Sequence, residues 1–306
     1  MINIMKKVIF ILILVSCKTM EPQSDVLNSG LDELPNYEQK IFVANHFSSD
    51  SIEGPTIYRG SLYASNGNQI VKINLDDGKK VDVLATPVPG AKFNGLAILD
   101  DTLYALDEKG KRIYEVDLEQ GTVKPLANLD FSPNDLVVYK AKNQLYLIIT
   151  SPVWESTVKG KIYSFNLTTR QVALLKTIDT KEVNGIVLDN ENELWVNHHD
   201  QLVSLKLTVN AGELFAEEKS RTPVMPDCKY MDGMKMIDGD RFLVSCYQNN
   251  HLAVISTGGS SDILSLDTDI GNPTNLVVLP SGVVYVTIRN SKKGKDDVDI
   301  IEMVPR

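Results

Sequence analysis

Six times the chain sets an oxygen-bearing residue ahead of a small-plus-apolar step: Glu53-Gly54-Pro55, Asn94-Gly95-Leu96, Asn134-Asp135-Leu136, Asn184-Gly185-Ile186, Asp232-Gly233-Met234 and Thr274-Asn275-Leu276. The intervals are 41, 40, 50, 48 and 42 residues. A period near that length is what a radially repeated four-stranded blade produces. An aromatic residue follows each start by 10 to 12 positions: Tyr63, Tyr104, Tyr146, Trp195, Phe242 and Tyr285. A third apolar run then closes each unit, as in 70–75, 113–118 and 162–167. The period-2 alternation of 112–118, the turn signals at Asp76-Asp77-Gly78 and Pro280-Ser281-Gly282, and the lack of sustained helical periodicity predict an all-β chain. The expected architecture is a six-bladed β-propeller with four-stranded blades.

The ends of the repeat fix how such a ring closes. The sixth unit lacks an outer strand before Arg306, while Lys40 to Asn45 is a spare strand ahead of the first triplet. The sequence therefore predicts that this N-terminal strand pairs with the last blade, removing the open edge that a stacked sheet otherwise exposes. Units three and four are the longest, with extra residues at 152–159 and 209–226, where lids and substrate contacts are expected.

Residues 1–39 read as a different material. Lys6 and Lys7 precede an apolar run from Val8 to Val15, too short to span a bilayer and suited to an export signal. The run ends in Leu14-Val15-Ser16-Cys17, which resembles a bacterial lipobox with Cys17 as the lipidated residue. The expectation is a signal peptide over 1–16, a lipidated Cys and polar tether over 17–39, and a propeller over 40–306. Lys18 after the Cys favours the outer membrane by resemblance to sorted lipoproteins. The chain is thus expected in the cell envelope, touching membrane through its N-terminal anchor alone.

Charge narrows the partners. The net charge of -9 becomes -11 once residues 1–16, with two Lys and no acid, are removed. A surface that negative repels phosphate backbones, so nucleic acid is not an expected partner. Besides Cys17 there are Cys228 and Cys246, both in the fifth repeat. An oxidising setting would allow them a disulfide, but their spacing equally suits two free thiols.

In a propeller the innermost strand of each blade lines the central channel, so the six starts should converge on one axis. Carboxylate and amide oxygens are the ligands a hard cation prefers. A single Asn-Gly step reads more readily as a hairpin turn. However, a turn has no reason to become Glu in the first unit and Asp in the fifth at a constant distance from the aromatic. His198-His199 lies after Trp195, away from the ring of starts, and reads as a surface pair.

The order of an EGP start, then PND, then NGI, then DGM resembles the family of gluconolactonase, regucalcin and luciferin-regenerating enzyme, over roughly residues 40 to 304. The resemblance implies a divalent cation on the axis, Ca²⁺ first with Mg²⁺, Mn²⁺ or Zn²⁺ as alternatives, held by Glu53, Asn134, Asn184 and Asp232. It also implies hydrolysis of a small-molecule lactone or ester, with Asp232 as general base or nucleophile and the cation polarising the carbonyl. Asn94 and Asp135 are the further candidates for orienting substrate or ligands. A non-catalytic ligand- or protein-binding propeller with a structural metal is the alternative. Sugar-lactonase members often carry an Arg just ahead of the third-blade Asn, where this chain has Asp130-Phe131-Ser132-Pro133. They also often have a Trp shortly after the first Glu, where this chain has Ile57-Tyr58.

Overall fold

A computed structural model describes residues 36–306 except 45, 48–51, 77, 79–80, 85–86, 142, 154–158, 180–181, 268–269 and 290–297. The expected signal peptide, Cys17 and nearly all of the tether lie outside the described residues. Alternating apolar and polar positions give twenty-four strands in six antiparallel four-stranded sheets, with a single 3-10 turn at Tyr247–Asn249 as the helical element among the described residues.

After β1 (Tyr37–Ala44), blade 1 is built from β2 (Ile52–Tyr58), β3 (Ser61–Asn66), β4 (Gln69–Asn74) and β5 (Val81–Val83). Blade 2 follows with β6 (Phe93–Leu99), β7 (Thr102–Asp107), β8 (Arg112–Asp117) and β9 (Val123–Asn128). Blade 3 comprises β10 (Leu136–Ala141), β11 (Gln144–Ser151), β12 (Lys161–Asn166) and β13 (Val172–Thr177). Blade 4 comprises β14 (Val183–Leu188), β15 (Leu194–His198), β16 (Gln201–Asn210) and β17 (Glu213–Arg221). Blade 5 runs through β18 (Met231–Met236), β19 (Arg241–Cys246), β20 (His251–Ser256) and β21 (Ser261–Ser265). Blade 6 has β22 (Asn272–Val278), β23 (Val284–Arg289) and β24 (Val298–Pro305), and β1 supplies its outer strand.

The six-bladed architecture and its closure by both chain ends are therefore as expected. β1 pairs antiparallel with β24 from Tyr37 opposite Pro305 to Ala44 opposite Val298. The strand starts three residues before Lys40, so it takes the last residues of the expected tether. The extra length of blade 4 does not form a lid. It lengthens the outer hairpin of β16 and β17, whose tip leans on blade 3 through the Tyr146 hydroxyl, which donates to the Gly212 carbonyl at 2.9 Å.

Between blades the core is a series of apolar seams. Tyr63, Tyr104, Tyr146, Trp195 and Tyr285 each pack forward onto the next blade, as an interblade core requires. Phe242 is one residue out of step in β19, and a one-residue step turns a strand side chain to the other face. It packs back on blade 4, with its ring 4.9 Å from Trp195, while Leu243 takes the forward seam.

Candidate functional site

The repeated triplets are β-bulges. In blades 1, 2, 4, 5 and 6 the innermost strand advances three residues while its partner advances two, between Glu53 and Thr56, Phe93 and Leu96, Val183 and Ile186, Met231 and Met234, and Pro273 and Leu276. A bulge leaves one residue out of the ladder and re-aims its neighbours. In blades 1, 2, 4 and 5 the first triplet residue beside the bulge lines the channel.

The second residue of the triplet is Gly wherever the next blade comes closest. A Cβ on Gly54, Gly95 or Gly185 would collide with the backbone of Asn94, Asn134 or Asp232 on the following blade, and one on Gly233 would collide with Asn275. These glycines are selected by close approach, since only Gly54 among the four has a positive φ, of 55°. Blades 3 and 6 carry Asp135 and Asn275 instead. Each side chain accepts from the backbone N–H that follows it, Leu136 at 2.9 Å and Leu276 at 2.8 Å.

A second set of residues, not singled out in the sequence, fastens this ring. The carbonyl of a triplet's first residue is held by the preceding blade: Asn134 by the Gly95 N–H at 2.8 Å, Asn184 by the Thr150 hydroxyl at 2.6 Å, Asp232 by the Asn197 amide, and Thr274 by the Ser245 hydroxyl at 2.5 Å. Thr150, Asn197 and Ser245 are fully buried, so these bonds are shielded from water. Their periodic signal was present as a small polar residue 13 to 16 positions after the blade start.

Five of the six first residues line one cavity of about 370 Å³: Glu53, Asn94, Asn134, Asn184 and Asp232. The sixth, Thr274, is engaged with Thr287 at 2.8 Å and is not part of the lining. The four residues carried over as cation ligands thus share one chamber, together with Asn94. Asp135 does not line it. Its buried carboxylate bonds to backbone and to Asn275, and it acts on Glu53 and Asp232 through its charge.

The walls come from the residues flanking the first two strands of blades 2, 4, 5 and 6, namely Lys92, Glu108, Glu182, Tyr230, Tyr247 and Arg289. Lys92 pairs with Glu108 at 2.5 Å, and Glu182 meets the Nδ1 of His199. His199 also sets its ring edge-on to Tyr230, and His198 is buried. The expected surface pair therefore holds only for His199, whose side chain is 41% exposed, while His198 is turned inward. The chain turns at His199 with φ 59°, which brings its ring behind the cavity wall, a placement that strand periodicity alone does not reveal.

The residue that sequence reasoning missed most completely is Arg289. It ends β23 and reaches the floor, where its Nη2 lies 2.9 Å from the Glu53 carboxylate, the two side chains being 20% and 10% exposed. Asn184 donates from Nδ2 to Asp232 Oδ1 at 2.7 Å, which fixes that carboxylate. Burial pushes the Asp232 carboxyl well above the ordinary range, with Glu53 and Asp135 adding repulsion and Arg289 opposing it. Glu53 is pushed up by burial and pulled back by Arg289. Breaking such a buried pair by removing one partner costs about 3–5 kcal/mol.

Among the described residues no three His, Cys, Asp or Glu side chains meet closely enough to hold an ion by themselves. Any cation here would depend on a mixed set of carboxylates and amides. That set fits one. The Oδ1 atoms of Asn94 and Asn184 are buried without a hydrogen-bond partner among the described residues. The lining also carries four carboxylates, Glu53, Glu108, Glu182 and Asp232, against the two cations Lys92 and Arg289. Unpartnered amide oxygens and two uncompensated negative charges are what a hard dication would satisfy.

No protein-family model matches the chain, and no curated protein sequence does. Solved structures match it throughout the ring. Regucalcin from Agrobacterium tumefaciens, a calcium-binding protein, superposes with a TM-score of 0.66 at 16% identity, covering 86% of this chain and 93% of that one. The chain shares its fold with the regucalcin-type propellers. Luciferin-regenerating enzyme gives a TM-score of 0.65 at 15% identity over 88% of this chain and 95% of its own. Streptogramin B lyase gives 0.62 at 13% identity over 88% and 98%. At such identities the likeness is one of fold, and the chemistry has to be argued from the cavity.

Proposed function

We propose that the chain is a divalent-metal-dependent hydrolase of the lactonase or esterase type, acting on a small molecule in the axial cavity. The observation that carries this reading is the meeting of Glu53, Asn134, Asn184 and Asp232 in one chamber with two unpartnered amide oxygens and excess negative charge. These four residues would hold the cation, Ca²⁺ first. Bound there, it would supply Lewis-acid polarisation of a carbonyl oxygen.

Asp232 is the group assigned to proton transfer or direct attack. It is half-buried in the cavity lining with one oxygen held by Asn184, so its orientation is set before a substrate enters. Asn94 lines the same floor and orients substrate oxygens by its amide. Tyr230, Tyr247 and Met231 provide an apolar wall that limits water. The regucalcin neighbour's calcium binding is consistent with this assignment. So is export: the Cys228–Cys246 disulfide suits an oxidising compartment, as the lipobox-like N-terminus does.

A second reading has its own observation. Arg289 already neutralises Glu53, so the ring could capture a ligand without turning it over, as a binding propeller. The deciding experiment combines elemental analysis of the purified protein with a panel of lactones, esters and phosphotriesters, assayed with and without chelator. The hydrolase reading expects metal-dependent turnover that Asp232→Asn lowers by about 100-fold or more with metal content retained. Full activity in that variant removes Asp232 from its role, and no turnover across the panel favours the binding propeller.

A further inference from the structure

The charges on the cavity floor are not arranged as in an open cation cage. Lys92 is committed to Glu108 at 2.5 Å and Glu182 to His199, and the cation paired directly with Glu53 is Arg289, whose charge also acts on Asp232. A guanidinium stays charged at any pH the fold survives, so protonation chemistry cannot switch it off. A dication that reaches Glu53 therefore meets a carboxylate already paired with a positive charge.

Geometry points the same way. Arg289 sits on the last residue of β23, with its backbone opposite Asn272, so the guanidinium is anchored at the ring and only its side chain can swing. One of its nitrogens engages Glu53, while its Nε is buried with no hydrogen-bond partner among the described residues. It is thus incompletely satisfied where it lies. The amide oxygens of Asn94 and Asn184 are unpartnered in the same chamber, so an ion held by them and by Glu53 would meet a carboxylate already engaged by Arg289.

We infer that Arg289 is a built-in competitor of the divalent ion for Glu53, which makes the ion weakly held and exchangeable and lets the ring stay folded without it. This rests on the proposed cation site and deepens it. In the ion-free protein Arg289 supplies the positive charge that holds blades 6 and 1 together at the axis. Ion binding has to displace it or share Glu53 with it.

The test is calorimetric titration of the full chain with Ca²⁺, alongside thermal unfolding in chelator and in excess Ca²⁺, for the wild type, Arg289→Met and Arg289→Lys. The Met variant is expected to bind Ca²⁺ about tenfold or more tightly than the wild type, the gain corresponding to about 1.4 kcal/mol or more. The Lys variant, which keeps the charge, should stay near the wild type. In chelator the wild type should melt little below its Ca²⁺-loaded form, while the Met variant melts lower and is restored by Ca²⁺. Arg289→Gln reads the same ordering if the Met variant fails to fold. Equal or weaker Ca²⁺ binding by folded Met and Gln variants overturns the competition while leaving the cation site standing. Absence of binding in every variant, repeated with Mg²⁺, Mn²⁺ and Zn²⁺, sinks the site itself and the inference with it.

Discussion

At the scale of single residues, the chain spends its most constrained positions on the axis. Asp232 illustrates how one carboxylate is prepared: the bulge turns it inward, Asn197 holds its carbonyl, Asn184 holds its carboxylate, and burial with Glu53 nearby makes its charge costly. Gly185 is a purely steric counterpart, because its added Cβ would meet the Asp232 carbonyl and the Asn197 amide. Gly185→Ala is therefore expected to cost about 1–3 kcal/mol of stability through overpacking and to lower turnover by shifting Asp232. Thermal unfolding and activity of that variant check both halves, and a neutral variant refutes the close-approach explanation. The candidate ligands were legible from their period. Arg289 was not, because a lone Arg at a strand end carries no repeat signature, and its partner Glu53 lies more than 200 residues away in sequence.

At the scale of elements, blade 5 shows how a wall is braced. The Cys228–Cys246 disulfide, with Cα atoms 4.9 Å apart, ties the segment before β18 to the end of β19. Those two segments deliver Tyr230, Met231 and Asp232 on one side and Tyr247 and Gln248 on the other, all of them lining the cavity. The crosslink closes a loop of 18 residues, for which removal typically costs about 2–4 kcal/mol. Replacing both cysteines by Ser should lower the unfolding temperature and weaken ligand binding together. Unchanged binding in a destabilised variant would confine the disulfide to stability. Spacing in the sequence left disulfide and free thiols equally open, since pairing depends on where two loops meet in space. The length of blade 4 was likewise visible, but not that it would extend β16 and β17 outward instead of covering the cavity.

For the whole molecule, ring closure is the organising contact. β1 and β24 pair along their length, and this union of the two ends of the chain completes blade 6 and converts an open stack of blades into a closed ring. Deleting residues 37–44 exposes the β24 edge and unseats Val43, which is packed in the seam between blades 6 and 1. The expected outcome is loss of the monodisperse soluble form, read by size exclusion, with a lowered or non-cooperative melt; a deletion variant that stays monomeric and melts as the wild type would show the ring closed by other means.

The sequence by itself determined the number of blades, the strand that closes them and the ring of Glu, Asn and Asp at their starts. All of these are periodic, and periodicity survives in one dimension because each blade repeats the same local problem of burying one face. Only the tertiary structure decided what else stands on the axis: the guanidinium against Glu53, the His199 ring behind Glu182, and the buried Asp135 beneath the floor. The first and last join residues of different blades and the second joins two strand ends within blade 4, and in each burial or close approach in space, not sequence spacing, sets the strength of the charge.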